Sequence, residues 1–404
     1  MTHEVRLASN PESKLIWQVG AMHYDNQLEN AGTVLIATPI GQQEAFTDAV
    51  KKKTTAFGVF AQATYPVTDT SRVTAGLRYD KTEVTQTEIQ SQGPALPSYV
   101  PGAPPFVLSG DAGKRDFSNL TYKLRLEHDL TAANLLYASV STGFSPGDVT
   151  VAPECPPSFS STSPCAIELE AETLRSYEIG SKNRFLDDTL QLNASLFYSK
   201  YGAFQSAGIN VNPNGFPPLF APLAVPLESY GLEFESLYKF TPMDLLGMNV
   251  GWTKAHYGEK SALFAQYVAQ DDVTANDAPG SPAPIPVSAS LSYEHTFMLS
   301  GDSTLVLRGQ ALYSSRHGGN VTRTEFNAGQ QPLVDIDSAV LGNLSATWTA
   351  NKHLAVTGYV RNVTDHQYFT RINVGAAAAP ATGFVYVHNL NDPRTYGLVL
   401  NVSF

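Results

Sequence analysis

The chain has 404 residues, with 37 acidic against 26 basic side chains (net charge −11), a charged fraction of 16%, and 19 Tyr and 20 Phe within a 43% hydrophobic complement. This balance argues against nucleic acid as a partner, since neutralising phosphates needs clustered Lys and Arg and the one basic run, Lys51 to Lys53, is short. No stretch approaches the roughly 18 consecutive apolar residues of a membrane-spanning helix; the most apolar tract, Gly375 to Val387, is Ala-rich and broken by Pro380.

A mean hydropathy of −0.14 fits a chain that hides its apolar character in every second residue, and period-two alternation predicts about fifteen strands. The first lies near Glu4 to Ser9. The clearest of the others lie near Phe57 to Tyr65, Arg72 to Asp80, Leu120 to Asp129, Leu136 to Gly143, Leu190 to Tyr201, Tyr230 to Phe240, Val287 to Met298, Leu305 to Ser314, Val340 to Trp348, Leu354 to Arg361 and Thr395 to Phe404. Leu120, Tyr122, Leu124 and Leu126 form one unbroken apolar face, while Thr121, Lys123, Arg125, Glu127 and Asp129 form a polar one. Such a strand separates water from something apolar, which fits a membrane barrel and also a soluble β-sandwich.

The connections decide between these. Tight turns are predicted near Val67 to Ser71, Leu130 to Ala133, Leu186 to Asp188, Thr241 to Gly247, Ser300 to Ser303 and Ala350 to Lys352. They alternate with long Gly/Pro/Asn-rich segments at about 27 to 52, 81 to 116, 145 to 173, 202 to 226, 259 to 285, 315 to 338 and 370 to 393. Short periplasmic turns and long outer loops are the pattern of an outer-membrane up-and-down β-barrel, and so many structureless loops count against a soluble domain. With short turns below, the last strand descends and so does the first. An odd count that starts outside implies that at least one strand is absent, because bacterial single-chain barrels have even numbers. The segment after Met1 enters a strand with no export signal, which also points to a fragment.

Cys155 and Cys165 lie ten apart in a Pro/Ser-rich stretch. A loop disulfide is the first reading; a metal pair or two free thiols is the second.

Several segments resemble the C-terminal barrel of TonB-dependent outer-membrane receptors. Pro393-Arg-Thr-Tyr-Gly-Leu-Val-Leu-Asn-Val-Ser-Phe404 is similar to that family's last strand, and Arg361-Asn-Val-Thr-Asp-His-Gln-Tyr-Phe369 to the stretch after its penultimate strand. Ser176 to Asp188 followed by Leu190 to Tyr201 resembles a central hairpin, and Ala75 to Asp80 and Ser141 to Gly147 also fit. The resemblance implies the outer membrane of a Gram-negative bacterium and uptake of a scarce nutrient such as a siderophore-iron complex. It further implies coupling to the TonB energy complex through a plug domain, and Phe404 as a signal to the barrel-assembly machinery. No plug is recognisable in residues 1–404, and against a 22-stranded barrel about seven strands would be missing before Thr2, so the chain is expected to be a non-autonomous fragment. Asn362-Val-Thr364 matches a glycosylation acceptor, but turn chemistry at Asn362 or Asp365 is the preferred reading.

Enzyme and cofactor signals are absent. Nine His residues show no paired ligand spacing, and no Gly-x-Ser-x-Gly elbow occurs. His317 with Ser314 and Ser315 is the nearest hydrolase candidate. For ligand contact, Arg308 and Gln310 on the inner face and Arg316, His317, Arg323, Tyr201 and Phe204 toward the outside are candidates, because Arg and aromatic side chains grip anionic or planar ligands. A passive porin, a barrel-embedded hydrolase and a soluble β protein stand as alternatives, a constriction loop folded into the pore being the mark of the porin.

Overall fold

The computed structural model describes residues 1–95, 101–102, 106–108, 113–151, 166–210, 220–257, 285–318, 335–375 and 385–403. In chain order the strands are β1 (Thr2–Ala8), β2 (Ile16–Thr38), β3 (Gly41–Pro66), β4 (Ser71–Gln92), β5 (Phe106–Leu108), β6 (Lys114–Thr131), β7 (Asn134–Ser145), β8 (Asp148–Val151), β9 (Ala166–Leu169), β10 (Glu172–Phe185) and β11 (Leu190–Asn210). They continue as β12 (Phe220–Thr241), β13 (Asp244–Tyr257), β14 (Val287–Met298), β15 (Thr304–Ser314), β16 (His317–Gly318), β17 (Asp335–Ile336), β18 (Ala339–Asn351), β19 (Leu354–Arg361), β20 (Phe369–Gly375), β21 (Val385–Leu390) and β22 (Thr395–Val402).

Fifteen of these form one antiparallel ladder in the order β1-β2-β3-β4-β6-β7-β10-β11-β12-β13-β14-β15-β18-β19-β22, with β5 beside β4. Each neighbour in the wall is the next wall strand in sequence, the topology of an up-and-down barrel. The hairpins β8-β9, β16-β17 and β20-β21 stand off the ladder. β1 and β22 are its two ends, and their side chains are the most exposed in the wall: Tyr396 and Leu398 are each 81% exposed, against 42% for the equally outward Leu124 of β6. An inner strand is shielded by neighbours on both sides; an end strand has one side bare.

The short turns fall where alternation predicts them. Val67 donates to the Ser71 carbonyl at 2.9 Å, and Leu186, Asp187 and Asp188 take positive φ (53°, 54° and 67°) to reverse the chain between β10 and β11. The long segments require correction. Residues 27 to 52 are not a loop: β2 and β3 stay paired from Ile16↔Thr64 to Thr38↔Gly41 with one register shift, and β4, β11 and β12 also run far past the apolar band. Beyond the membrane both faces of a strand meet water, so the apolar contrast that betrays a strand disappears although the hydrogen-bond ladder continues. The segments 145 to 173 and 370 to 393 contain the hairpins β8-β9 and β20-β21.

Outward aromatic residues form two levels. Tyr198 faces Tyr230 across β11 and β12 at the upper level. At the lower level Phe240 stacks on Tyr293, with ring centroids 6.2 Å apart. From Tyr230 to Phe240 along β12 the ten-residue rise, about 33 Å along the strand, corresponds after the usual tilt to a band of roughly 25 Å, the height of a lipid-facing girdle pair.

The best-buried residues lie at the upper, inner end of the wall. Val149 is 0% exposed and Val84 2%, and Thr82, Ala203, Gln86, Leu227, Ala255 and Leu169 are also buried. They mark where β8 and β9 fold inward onto β4, β6 and β12, held also by the Lys52–Asp148 ion pair.

Candidate functional site

Residues 72, 74, 76, 78, 80, 82, 84 and 86 of β4 lie on the face that meets the inward hairpin, which identifies the lumen side. The pairing register then carries that assignment strand by strand around the wall.

On this face one construction recurs. A glycine sits directly across the ladder from an aromatic residue in the pairs Gly20↔Phe60, Gly180↔Tyr137, Gly231↔Phe197 and Gly397↔Tyr359. At Gly180 a Cβ would come within 2.5 Å of the Tyr137 ring, so only glycine lets the ring lie flat on the neighbouring backbone. Arginine then covers three of the four rings: Arg6 and Arg78 lie 5.8 and 5.7 Å from the Phe60 centroid, Arg125 lies 4.3 Å from Tyr137, and Arg361 lies 5.1 Å from Tyr359. Each stack holds the back of a guanidinium against a π-face and leaves its in-plane donors to neighbouring carboxylates or to the lumen.

Carboxylates set how much of that charge is offered. Near the periplasmic turns, Arg72 contacts Glu127 and Asp129, each at 2.8 Å, and Arg125 contacts Glu127 at 3.0 Å. Tyr137 donates its hydroxyl to Glu178. This belt is nearly self-neutralised. Above it, Glu4, Arg6, Gln18, Phe60, Gln62, Arg78 and Lys123 line a cleft of about 370 Å³. There Arg6 is paired to Glu4 and Arg78 to Asp80.

A second polar cleft of about 430 Å³ opens at the outer mouth beside β18, β19 and β22, lined by Asn343, Arg361, Asn362, Thr370, Asn391, Asp392 and Thr395. Its floor is built by Asn362, 4% exposed and at φ 49°. The Asn362 amide donates to the carbonyls of His366 (2.9 Å) and Asp392 (3.1 Å), and its side-chain oxygen accepts from the His366 N–H at 2.9 Å. Asp365 accepts from the Arg394 N–H at 2.8 Å. The tripeptide is turn chemistry, as expected, and its amide is fully engaged.

A larger hollow, about 800 Å³, is elsewhere. Tyr293, Phe297, Leu307, Leu344 and Val360 surround Gly309, Ala346 and Gly358 there, all on the outward face, where lipid chains fill such a concavity. It is far from the polar chemistry of the lumen.

The structure distributes the sequence candidates rather than gathering them. Arg308 and Gln310 do face the lumen, and Gln310 accepts from Asn343, which in turn accepts from the Asn362 N–H, at 3.4 and 3.1 Å. Tyr201 and Phe204 form an edge-to-face pair at 5.5 Å where β11 bulges. The His317 ring nitrogen Nδ1 lies 2.9 Å from the Ser315 carbonyl, and the Ser315 hydroxyl accepts from the Val287 N–H at 2.9 Å. That is backbone capping, not a nucleophile and base. Arg316 lies beside this turn. Cys155, Cys165, Arg323 and Phe404 lie outside the described residues. Among the described residues no three His, Cys, Asp or Glu side chains gather as metal ligands.

The glycine-aromatic-arginine stacks are not among the sequence candidates. Their signal is an isolated glycine after an outward apolar or aromatic residue inside a strand: Val19-Gly20, Ile179-Gly180, Tyr230-Gly231 and Tyr396-Gly397.

A family model described as TonB dependent receptor-like, beta-barrel, matches residues 5–363. The chain belongs to the TonB-dependent receptor family. It is therefore an outer-membrane barrel of a Gram-negative type, in a family of receptors and transporters rather than enzymes. Solved structures agree on the fold. The ferric yersiniabactin uptake receptor FyuA of Yersinia pestis superposes with a TM-score of 0.75 at 16% identity, over 100% of this chain and 54% of that one. The ferric-catecholate import receptor Fiu of E. coli K12 gives 0.70, 16%, 100% and 54%. The ferripyoverdine receptor of Pseudomonas aeruginosa gives 0.56, 16%, 98% and 51%. The chain thus spans about half the length of these TonB-dependent receptors. No curated protein sequence matches it.

Proposed function

We propose that this chain is the C-terminal barrel portion of a receptor that takes up an anionic, metal-chelating nutrient such as a siderophore-iron complex, with a plug domain and further strands supplied by the same polypeptide upstream. The observation that carries the ligand class is Arg361, stacked on the Tyr359 ring in the mouth cleft. A guanidinium with a rigid back and free in-plane donors suits the carboxylate, hydroxamate or catecholate oxygens of a chelate. Arg361, in the mouth cleft, has no carboxylate partner among the described residues. The coverage of about half of each solved relative supports the missing portion, and the ladder ends at β1 and β22 are where such strands would add. Coupling to TonB would run through the plug, since the barrel wall supplies a passage and not a moving part.

Two measurements test this. The mass of the polypeptide extracted from outer membranes should be well above 43.6 kDa; a product of that mass would overturn the fragment reading. In the intact receptor, Arg361→Ala should weaken binding of a ferric siderophore, read by quenching of tryptophan fluorescence, by about tenfold, the scale of one charged hydrogen-bonding contact. Unchanged affinity across anionic chelates would overturn the ligand class.

A passive channel is the second reading, favoured by the β8-β9 hairpin, which folds onto the inner wall as a constriction would. Steady conductance of the intact protein in a planar bilayer would support it.

A further inference from the structure

The lumen face of the wall changes character along the ladder. From β4 to β12 it carries long charged side chains that reach one another: Arg72 and Arg125 meet Glu127, Arg78 meets Asp80, and Tyr137 donates to Glu178. From β13 to β19 the same face is built of short neutral groups. Register places Gly247, Ser292, Gln310 and Asn343 in one row across β13, β14, β15 and β18, with Asn249 beside Ser290 one step above it. Nearer the periplasm Thr347 and Thr357 face each other across β18 and β19, with 2.9 Å between their hydroxyl oxygens. Among the described residues Glu294 is the one carboxylate on this stretch of the face, and its register partner is Arg308.

These neutral groups are tied to each other rather than to charges. The Asn249 amide donates to the Ser290 hydroxyl at 3.0 Å, and the Asn343 amide to the Gln310 side-chain oxygen at 3.4 Å. Asn343 also lines the mouth cleft together with Arg361, so the row begins where the cleft ends. Opposite Ser292 stands Gly247: a Cβ there would lie 2.8 Å from the Ser292 hydroxyl oxygen, and its absence leaves the wall recessed. Neutral hydrogen bonds are weaker than those of ionised groups, and a solute moves along a wall quickly only where each contact is weak enough to release it.

We propose that the ligand crosses the lumen along this neutral sector, from Arg361 to the Gln310 and Asn343 pair, past Ser292 and down to Thr347 and Thr357, while the longer side chains of β4 to β12 close the gap on their side. The inference rests on the reading that a plug of the same polypeptide fills the lumen. Along the neutral sector the oxygens of an anionic chelate find a donor at each step and meet a carboxylate only at Glu294, where Arg308 stands beside it. On the charged sector Asp80, Glu127 and Glu178 repel such a ligand, and Arg72 and Arg78 are already held by carboxylates.

Thiol labelling of the intact receptor in outer membranes tests the route without a ligand. Ser292 and Ser345 on the neutral sector and Ser139 and Ser195 on the charged one are all half-buried in the wall, so a cysteine at each differs in what lies against it from the lumen. A sulfonated maleimide, followed by the mass of the labelled peptide, should modify Ser292→Cys and Ser345→Cys about tenfold faster than Ser139→Cys and Ser195→Cys, the scale set when a charged contact must open first. Once modified, the Ser292→Cys receptor should take up ferric siderophore about tenfold more slowly with its binding affinity unchanged, because the route is blocked below the point of capture. Equal labelling of the two sectors, or undiminished uptake by the modified Ser292→Cys receptor, would overturn the proposal. The labelling contrast holds or fails whatever the ligand, which separates the route from the ligand class.

Discussion

The two faces of β6 differ in what holds them. Outward, Leu120, Tyr122, Leu124 and Leu126 are 58%, 38%, 42% and 51% exposed on the protein alone and depend on lipid to leave water. Inward, Arg125, Glu127 and Asp129 are part-buried and satisfied within the wall by Arg72 and by the Tyr137 ring. The outer face is therefore generic, and any apolar side chain serves. The inner face is specific, because each charge depends on a particular partner on its own or an adjacent strand.

The largest effect should come from reversing that difference. Leu124→Arg places a charge on the lipid face near mid-membrane and should cost about 2–4 kcal/mol, whereas Lys123→Leu on the adjacent lumen position should cost about 1 kcal/mol or less. Urea unfolding in lipid vesicles compares the two, and equal costs would mean the faces are assigned the wrong way round.

A smaller effect tests the inward core. Val84→Ala removes two methyl groups from under the β8-β9 hairpin and should cost about 1–2 kcal/mol. Amide exchange should speed up at Val149 and Leu169 while the lower wall stays protected. Uniform acceleration through the wall would show that the hairpin and wall open together.

The smallest effect concerns the projecting strands, where neither face has lipid. Glu29 lies beyond the band, and Lys51, by hydrogen bond and charge and with help from Gln27, holds its carboxyl below the ordinary 4.5. A carboxyl depressed in the folded state stabilises above its unfolded value, and that contribution fades as the pH falls through the folded one. Glu29→Gln should therefore lower the melting temperature slightly at pH 6 and leave it unchanged at pH 2. An equal effect at both would assign the loss to shape rather than charge.

Much of the wall was legible because lipid on one side imposes a strict two-residue period, as in Leu190 to Tyr198 and Leu120 to Leu126. The tight turns were legible through Asp187-Asp188 and similar pairs, and the Asn362 turn through its residue types. The strand extensions at 27 to 52 were not, since water on both sides removes the period while pairing persists. The lumen stacks were also missed. A glycine in a strand says that something approaches closely, but register alone says that it is Tyr137 for Gly180 and Phe60 for Gly20.

Alternation along the chain thus determined which side chains face lipid, how many strands form the wall and in which direction each runs, because those depend on neighbours one or two residues away. Tertiary structure decided which arginine covers which ring, which carboxylate neutralises it, and that β8 and β9 turn inward to build the buried core. Contacts such as Arg72 with Glu127, Arg6 with Phe60 and Lys52 with Asp148 join residues far apart in the chain, and only the register and curvature of the sheet bring them within reach.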